Sequence, residues 1–139
     1  MRILIIDDDP ASTDLLTLMV QQSIPAEVIT ANSSNEGIAM SKQYHPDLIM
    51  LNLMMPIING IDVCREIRKF CHRPILAMSA INQPELIAQA LDAGADDFLC
   101  KPVGNNMLAS RINGLLRRMP KGSELRELIS NPSYSASNL

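Results

Sequence analysis

Three consecutive aspartates, Asp7, Asp8 and Asp9, follow the apolar run Ile3-Leu4-Ile5-Ile6. Carboxylates this close repel one another and stay ionised most easily beside a hard divalent cation, for which all-oxygen ligands at near-octahedral geometry suit magnesium. Ser79 and Lys101 each follow another apolar run. A hydroxyl and an ammonium facing the acids would bind phosphoryl oxygens. Asn52 closes the run Leu48-Ile49-Met50-Leu51. A carboxylate there could attack a phosphoryl group, whereas an amide has its nitrogen lone pair delocalised into the carbonyl and carries no charge to hold a metal ion. The polar residues outline a phosphate-accepting pocket whose trigger is missing.

Short apolar runs must position these groups. Ile3-Leu4-Ile5-Ile6, Val28-Ile29, Leu48-Ile49-Met50-Leu51, Ile75-Leu76-Ala77-Met78 and Phe98-Leu99-Cys100 mostly lack the alternation of a half-exposed strand. Strands apolar on both sides belong in a parallel sheet covered by helices. The helices between them carry their own start signals: Asp9 before Pro10, Ser33 with Glu36, and Asn82 with Pro84 and Glu85. Gly94 supplies a stop, and Leu108, Ile112, Leu115, Leu116 and Met119 share one face of a last helix. Five strands alternating with five helices through right-handed crossovers predict a doubly wound, flavodoxin-like α/β fold with strand order 2-1-3-4-5. The acids, Asn52, Ser79 and Lys101 then all lie at carboxyl ends of strands, the edge where such sheets bind ligands.

Composition sets the outer bounds. With 139 residues, 47% of them hydrophobic, and a net charge of -3, the chain is expected to form one globular domain over residues 1–119, followed by a linker-like tail at 120–139 rich in Ser, Asn, Pro and Gly. Only Glu124–Ile129 in that tail could be helical. The apolar runs are far too short to cross a membrane and no leader pattern opens the chain, so a cytoplasmic location is expected. Cys64, Cys71 and Cys100 show no metal-binding or CxxC spacing, which predicts reduced, mostly buried thiols. The mildly acidic balance argues against direct nucleic-acid contact by this domain.

Taken singly, each polar residue has an ordinary explanation. Asn52 suits a strand exit, Ser79 a helix entry, Lys101 a solvated turn and Phe98 a core aromatic. The joint pattern decides otherwise. The segments Ile5-Ile6-Asp7-Asp8-Asp9-Pro10, Pro46-Asp47-Leu48-Ile49-Met50-Leu51-Asn52-Leu53-Met54-Met55-Pro56, Asn59-Gly60, Met78-Ser79-Ala80, Ala93-Gly94-Ala95-Asp96-Asp97-Phe98 and Lys101-Pro102 resemble, in order and spacing, the receiver domain of two-component response regulators.

The resemblance implies roles for these residues. Asp7, Asp8 and the carbonyl of Met54 match the magnesium ligands, and Asn52 stands where the family has its phosphorylated aspartate. Ser79 and Phe98 match the hydroxyl and aromatic that move together on activation. Lys101 matches the lysine that contacts the phosphoryl group, joined to Pro102 by a cis peptide. Asp97 and Arg111 match residues that pair across a two-fold dimer of receivers attached to winged-helix domains, in which the last helix, the fifth strand and the preceding helix form the interface. A sensor histidine kinase or another signalling protein is the expected partner. With Asn52 in place of an aspartate, magnesium binding is expected to be weak or absent, and the chain is expected to be no enzyme.

Two function classes follow. One is a phosphorylation-independent interaction module; the other is an ordinary magnesium-dependent phosphoacceptor carrying an introduced Asp-to-Asn change. A flavodoxin-like cofactor binder fits less well, because aromatic residues are only 3% of the chain and no phosphate loop follows the first strand.

Overall fold

The computed structural model describes residues 1–118. Met119, the tail and the possible helix at Glu124–Ile129 lie outside the described residues. Five strands, β1 (Arg2–Ile6), β2 (Glu27–Ala31), β3 (Leu48–Asn52), β4 (Ile75–Ser79) and β5 (Asp97–Cys100), alternate with α1 (Pro10–Ser23), α2 (Ser34–Tyr44), α3 (Gly60–Arg68), α4 (Pro84–Asp92) and α5 (Asn105–Arg118). All strand pairs are parallel, in the order β2-β1-β3-β4-β5. This is the doubly wound, flavodoxin-like arrangement expected from the alternation of runs.

The central strands separate two apolar layers residue by residue, because successive side chains point to opposite faces. Ile3, Ile5, Leu48, Met50, Leu76, Met78 and Leu99 face Leu16 and Val20 of α1 and Leu108, Ile112 and Leu115 of α5. Leu4, Ile6, Ile49, Leu51, Ile75 and Ala77 face Val63, Cys64 and Ile67 of α3 and Ala90 of α4. Every residue of β3 and β4 is buried, which explains the apolar runs that lead up to the polar Asn52 and Ser79 at their ends. Each fully buried Leu or Ile contributes about 2 kcal/mol.

Helix starts follow the chemistry of their first residues. Asp9 accepts from Ala11 N and Ser33 from Glu36 N. Asn59 also caps a helix, accepting from Asp62 N. The expected cap at Asn82 is corrected to Gln83, which makes no side-chain cap bond. There Pro84, with its φ preset for the first helical turn, marks the start without a polar cap. Gly94 follows α4 at φ 118°, a backbone angle that favours glycine.

The thiols also depart from expectation. Cys64 is buried, Cys71 is half-buried and Cys100 is exposed, because β5 is an edge strand that α4 and α5 do not fully cover.

At the edge where β4 and β5 begin, Arg68 braces the molecule. Its Nε donates to Gly94 O at 2.9 Å, its Nη1 to Arg73 O at 2.6 Å and Cys71 O at 3.1 Å, and its Nη2 to Asp96 Oδ2 at 2.7 Å. Asp96 Oδ2 in turn accepts from Ile75 N at 2.8 Å.

Candidate functional site

The opposite edge gathers the polar residues. Asp7 and Asp8 leave β1, Asn52 ends β3, Ser79 ends β4 and Lys101 follows β5. Local contacts hold their loops. Asn32 Nδ2 donates to Asp7 O at 2.8 Å and to Thr13 Oγ1 at 3.2 Å, and Ser34 Oγ donates to Ile58 O at 2.6 Å. Gly60 N donates to Leu53 O at 2.8 Å. A Cβ at Gly60 would stand 2.4 Å from Asn52 O and from Leu53 Cα, so only glycine lets α3 start this close to the end of β3.

Asp7 is the buried centre of the site, only 1% exposed. Its Oδ2 accepts from Lys101 Nζ at 2.7 Å and from Ser12 Oγ at 2.8 Å, while Oδ1 accepts from Asp9 N at 3.1 Å. Burial alone would raise the Asp7 pKa. The hydrogen bonds from Lys101, Asp9 and Ser12, together with the lysine charge, outweigh burial and hold the carboxyl below its ordinary value.

Asn52 meets both acids. Its Nδ2 donates to Met54 O at 3.1 Å, Asp7 Oδ1 at 3.3 Å and Asp8 Oδ1 at 3.4 Å. Asp7, Asp8, Asn52, the Met54 carbonyl and Lys101 therefore form one cluster, drawn from the ends of three strands.

The other expected residues do not join the side-chain hydrogen bonds of the cluster. Ser79 is fully buried, and its Oγ accepts from Ile81 N at 3.0 Å. Its carbonyl accepts from Lys101 N at 2.8 Å, which ties the two loops through backbone. Phe98 is half-buried against the core layer of α3 and α4. The Lys101–Pro102 peptide is cis. Asp97 and Arg111 pair within the chain: Arg111 Nη1 donates to Oδ2 at 2.9 Å and Oδ1 at 3.0 Å.

Three contributors escaped the sequence reading. Ser12 sits five residues beyond Asp7, in the first turn of α1, and Asn32 follows β2; neither belongs to an acidic or basic cluster. Ile57, in the loop after β3, has φ 70° and is 98% exposed, an unusual backbone for a β-branched residue. Only position on the expected topology could have drawn attention to any of them.

A profile of the response regulator receiver domain matches residues 3–113. The chain belongs to this family. The receiver is 37% identical over 135 residues to the DNA-binding dual master transcriptional regulator RpaA of Synechocystis sp., covering 93% of this chain and 56% of that protein. It is 39% identical over 116 residues to the transcriptional regulatory protein AfsQ1 of Streptomyces coelicolor, covering 84% of this chain and 51% of the relative. The chain thus spans about half the length of the curated relatives it matches. Among solved structures, a two-component response regulator from Clostridium difficile superposes with a TM-score of 0.82 at 30% identity, covering 87% of this chain and 99% of that one.

Receivers generally use magnesium, so the fit of the donor set matters. Among the described residues, no three His, Cys, Asp or Glu side chains gather into a group that could hold a metal ion. The oxygens of Asp7, Asp8 and Met54 that the family resemblance would assign to the ion instead accept from Asn52 Nδ2. An amide nitrogen facing that space is no ligand for a hard cation. As oriented, the Asn52 amide presents a hydrogen-bond donor and not a further oxygen ligand to that space.

Proposed function

We propose that this receiver takes no phosphate at residue 52 and acts as a phosphorylation-independent interaction module. The observation that carries this reading is the Asn52 carboxamide, which donates to the acid pair from the end of β3. By the resemblance of the motifs around it, residue 52 stands where receivers hold their aspartate nucleophile. A neutral amide offers no carboxylate oxygen for an acyl phosphate, and it weakens magnesium binding or abolishes it. The domain is accordingly no enzyme; it signals by whom it binds.

Its partners on this reading are a sensor histidine kinase or another cytoplasmic signalling protein, and a second copy through α4, β5 and α5. The similarity to transcriptional regulators about twice as long, one of them named as DNA-binding, supports a transcription-regulator parent. Nucleic-acid contact then belongs to the rest of that parent.

A second reading, an ordinary receiver with an introduced Asp-to-Asn change, is favoured by the surviving pocket, in which Lys101 still reaches Asp7. The genomic codon for residue 52 separates the two. The chemical test is incubation of the protein and an Asn52→Asp variant with acetyl phosphate and magnesium, followed by intact mass. The variant alone should gain one labile phosphoryl group. An adduct on the unaltered protein would overturn the proposal.

A further inference from the structure

The acid pair has its counter-groups built in. Asn52 Nδ2 faces three acceptors from two different loops, at 3.1, 3.3 and 3.4 Å. A carboxamide has two hydrogens, so three oxygens share them, and the contacts are longer than the usual ~2.9 Å. The opposite rotation would set the Asn52 carbonyl oxygen against the same three oxygens, which repel it; the hydrogen-bond network selects the nitrogen-in orientation. A magnesium ion bound directly by Asp8 and the Met54 carbonyl, and by Asp7 through water, would need the two direct oxygens at about 2.0–2.1 Å, in the space the amide group fills. Ion and amide nitrogen exclude one another.

The other oxygen of Asp7 is also taken, by Lys101 Nζ and Ser12 Oγ. Asp7 and Asp8 bring two negative charges, Lys101 returns one positive charge, and Asp8 is exposed to solvent. An aspartate at residue 52 would add a third carboxylate to the cluster and create a demand for a cation. Asparagine removes that demand and supplies hydrogens in its place.

The geometry points to Asn52 as a built-in occupant of the cation position, a carboxamide latch that ties the turn after β1 to the turn after β3 without metal. Ser12 is a positioning residue on the far side of Asp7. The inference deepens the reading proposed above and rests on it for the identity of the pocket. Its consequence is a rim whose conformation, and whose partner binding, do not follow the level of divalent cations.

The test uses the full chain as wild type, Asn52→Asp and Asn52→Ala. Each is titrated with manganese(II), followed by the paramagnetic signal of the free ion, and each is melted in chelator and in millimolar magnesium chloride. Wild type should bind manganese at least roughly tenfold more weakly than Asn52→Asp, reflecting the missing carboxylate ligand. Its Tm should not move with magnesium. Asn52→Ala, with the latch gone, should melt below wild type in chelator and recover part of the loss in magnesium.

In nitrogen-15 NMR of wild type, the Asn52 side-chain NH2 should exchange slowly with water and stay unshifted by magnesium, a readout that holds even if Asn52→Ala does not fold. Sub-millimolar manganese binding by wild type, fast exchange of that NH2, or equal melting of wild type and Asn52→Ala in chelator would overturn the latch. Tight manganese binding by a wild type that still takes no phosphate sinks the latch alone. Phosphorylation of wild type sinks the function reading instead.

Discussion

The two edges of the sheet solve the same problem in opposite ways. Where β4 and β5 begin, one guanidinium serves Gly94, Cys71, Arg73 and Asp96 at 2.6–3.1 Å. Its planar fork is preorganised for several acceptors at once. At the other edge, one neutral amide is divided among Asp7, Asp8 and Met54 at 3.1–3.4 Å. Charge-assisted bonds from one arginine anchor the first edge, whereas the second combines a single short ion pair, Lys101 to Asp7 at 2.7 Å, with the long, shared bonds of the amide. The long, shared contacts of the amide lie at the edge where ligands of α/β sheets bind.

Thiol labelling should separate the edges most widely. Cys64 is buried beside the brace, with Sγ 3.6 Å from Ala93 O, and burial pushes its thiol pKa up. Cys100 ends β5 on the site side and is exposed. In the native protein Cys100 should react with a maleimide at least about a thousandfold faster than Cys64, which must wait for local opening. Comparable rates would mean that the braced half opens as readily as the rim.

Removing the brace comes next in size. Arg68→Ala strips four acceptors of their donor and leaves Asp96 without its ion-pair partner, and should cost about 3 kcal/mol in urea unfolding. A loss below about 1 kcal/mol would place the anchor elsewhere.

Lys101→Met attacks the rim and should cost less, about 1–2 kcal/mol at neutral pH, because Lys101 is partly exposed and Ser12 and Asp9 still serve Asp7. Its pH signature is specific. The folded Asp7 pKa lies below its ordinary 3.8, so its stabilising contribution is complete above that value and is lost as the pH falls through the lowered one. Wild type should therefore lose stability below about pH 4, and Lys101→Met should show a flatter acid limb. Identical acid limbs would remove Lys101 as the main cause of the lowered value.

The smallest change is a gain. Ile57→Gly relieves a left-handed, β-branched residue of about 1–2 kcal/mol of strain, offset by the greater freedom of glycine in the unfolded chain. The expected net stabilisation is below about 1 kcal/mol, read from the urea midpoint.

Much of this contrast was legible in the residues. Strands buried on both faces wrote themselves as apolar runs, and a pocket at their carboxyl ends followed from topology, which is why Asp7, Asp8, Asn52 and Lys101 could be placed together in advance. Caps with a polar side chain, Asp9 and Ser33, were equally readable, whereas Asn82 misled because a following proline can start a helix unaided. The brace was invisible: Arg68 looks like any solvated arginine until Gly94 and Asp96 are brought to it from 26 and 28 residues away. Cys100 was misjudged for another reason: the expected strand order already put β5 at the margin of the sheet, but the run Phe98-Leu99-Cys100 does not show which of its residues the flanking helices leave uncovered. Which atom of Asn52 faces the acids was equally out of reach, because it depends on loops meeting in space.

The Asp97–Arg111 pair carries one more consequence. Each copy already satisfies these charges internally at 2.9–3.0 Å. Trading two such contacts inside separate chains for two between chains would leave their number unchanged, so this pair would add register to an association and little affinity. Attraction between copies would then have to come from nonpolar area on the helices flanking β5, where Leu91 of α4 and Met107 of α5 are exposed, and sodium chloride should scarcely weaken it.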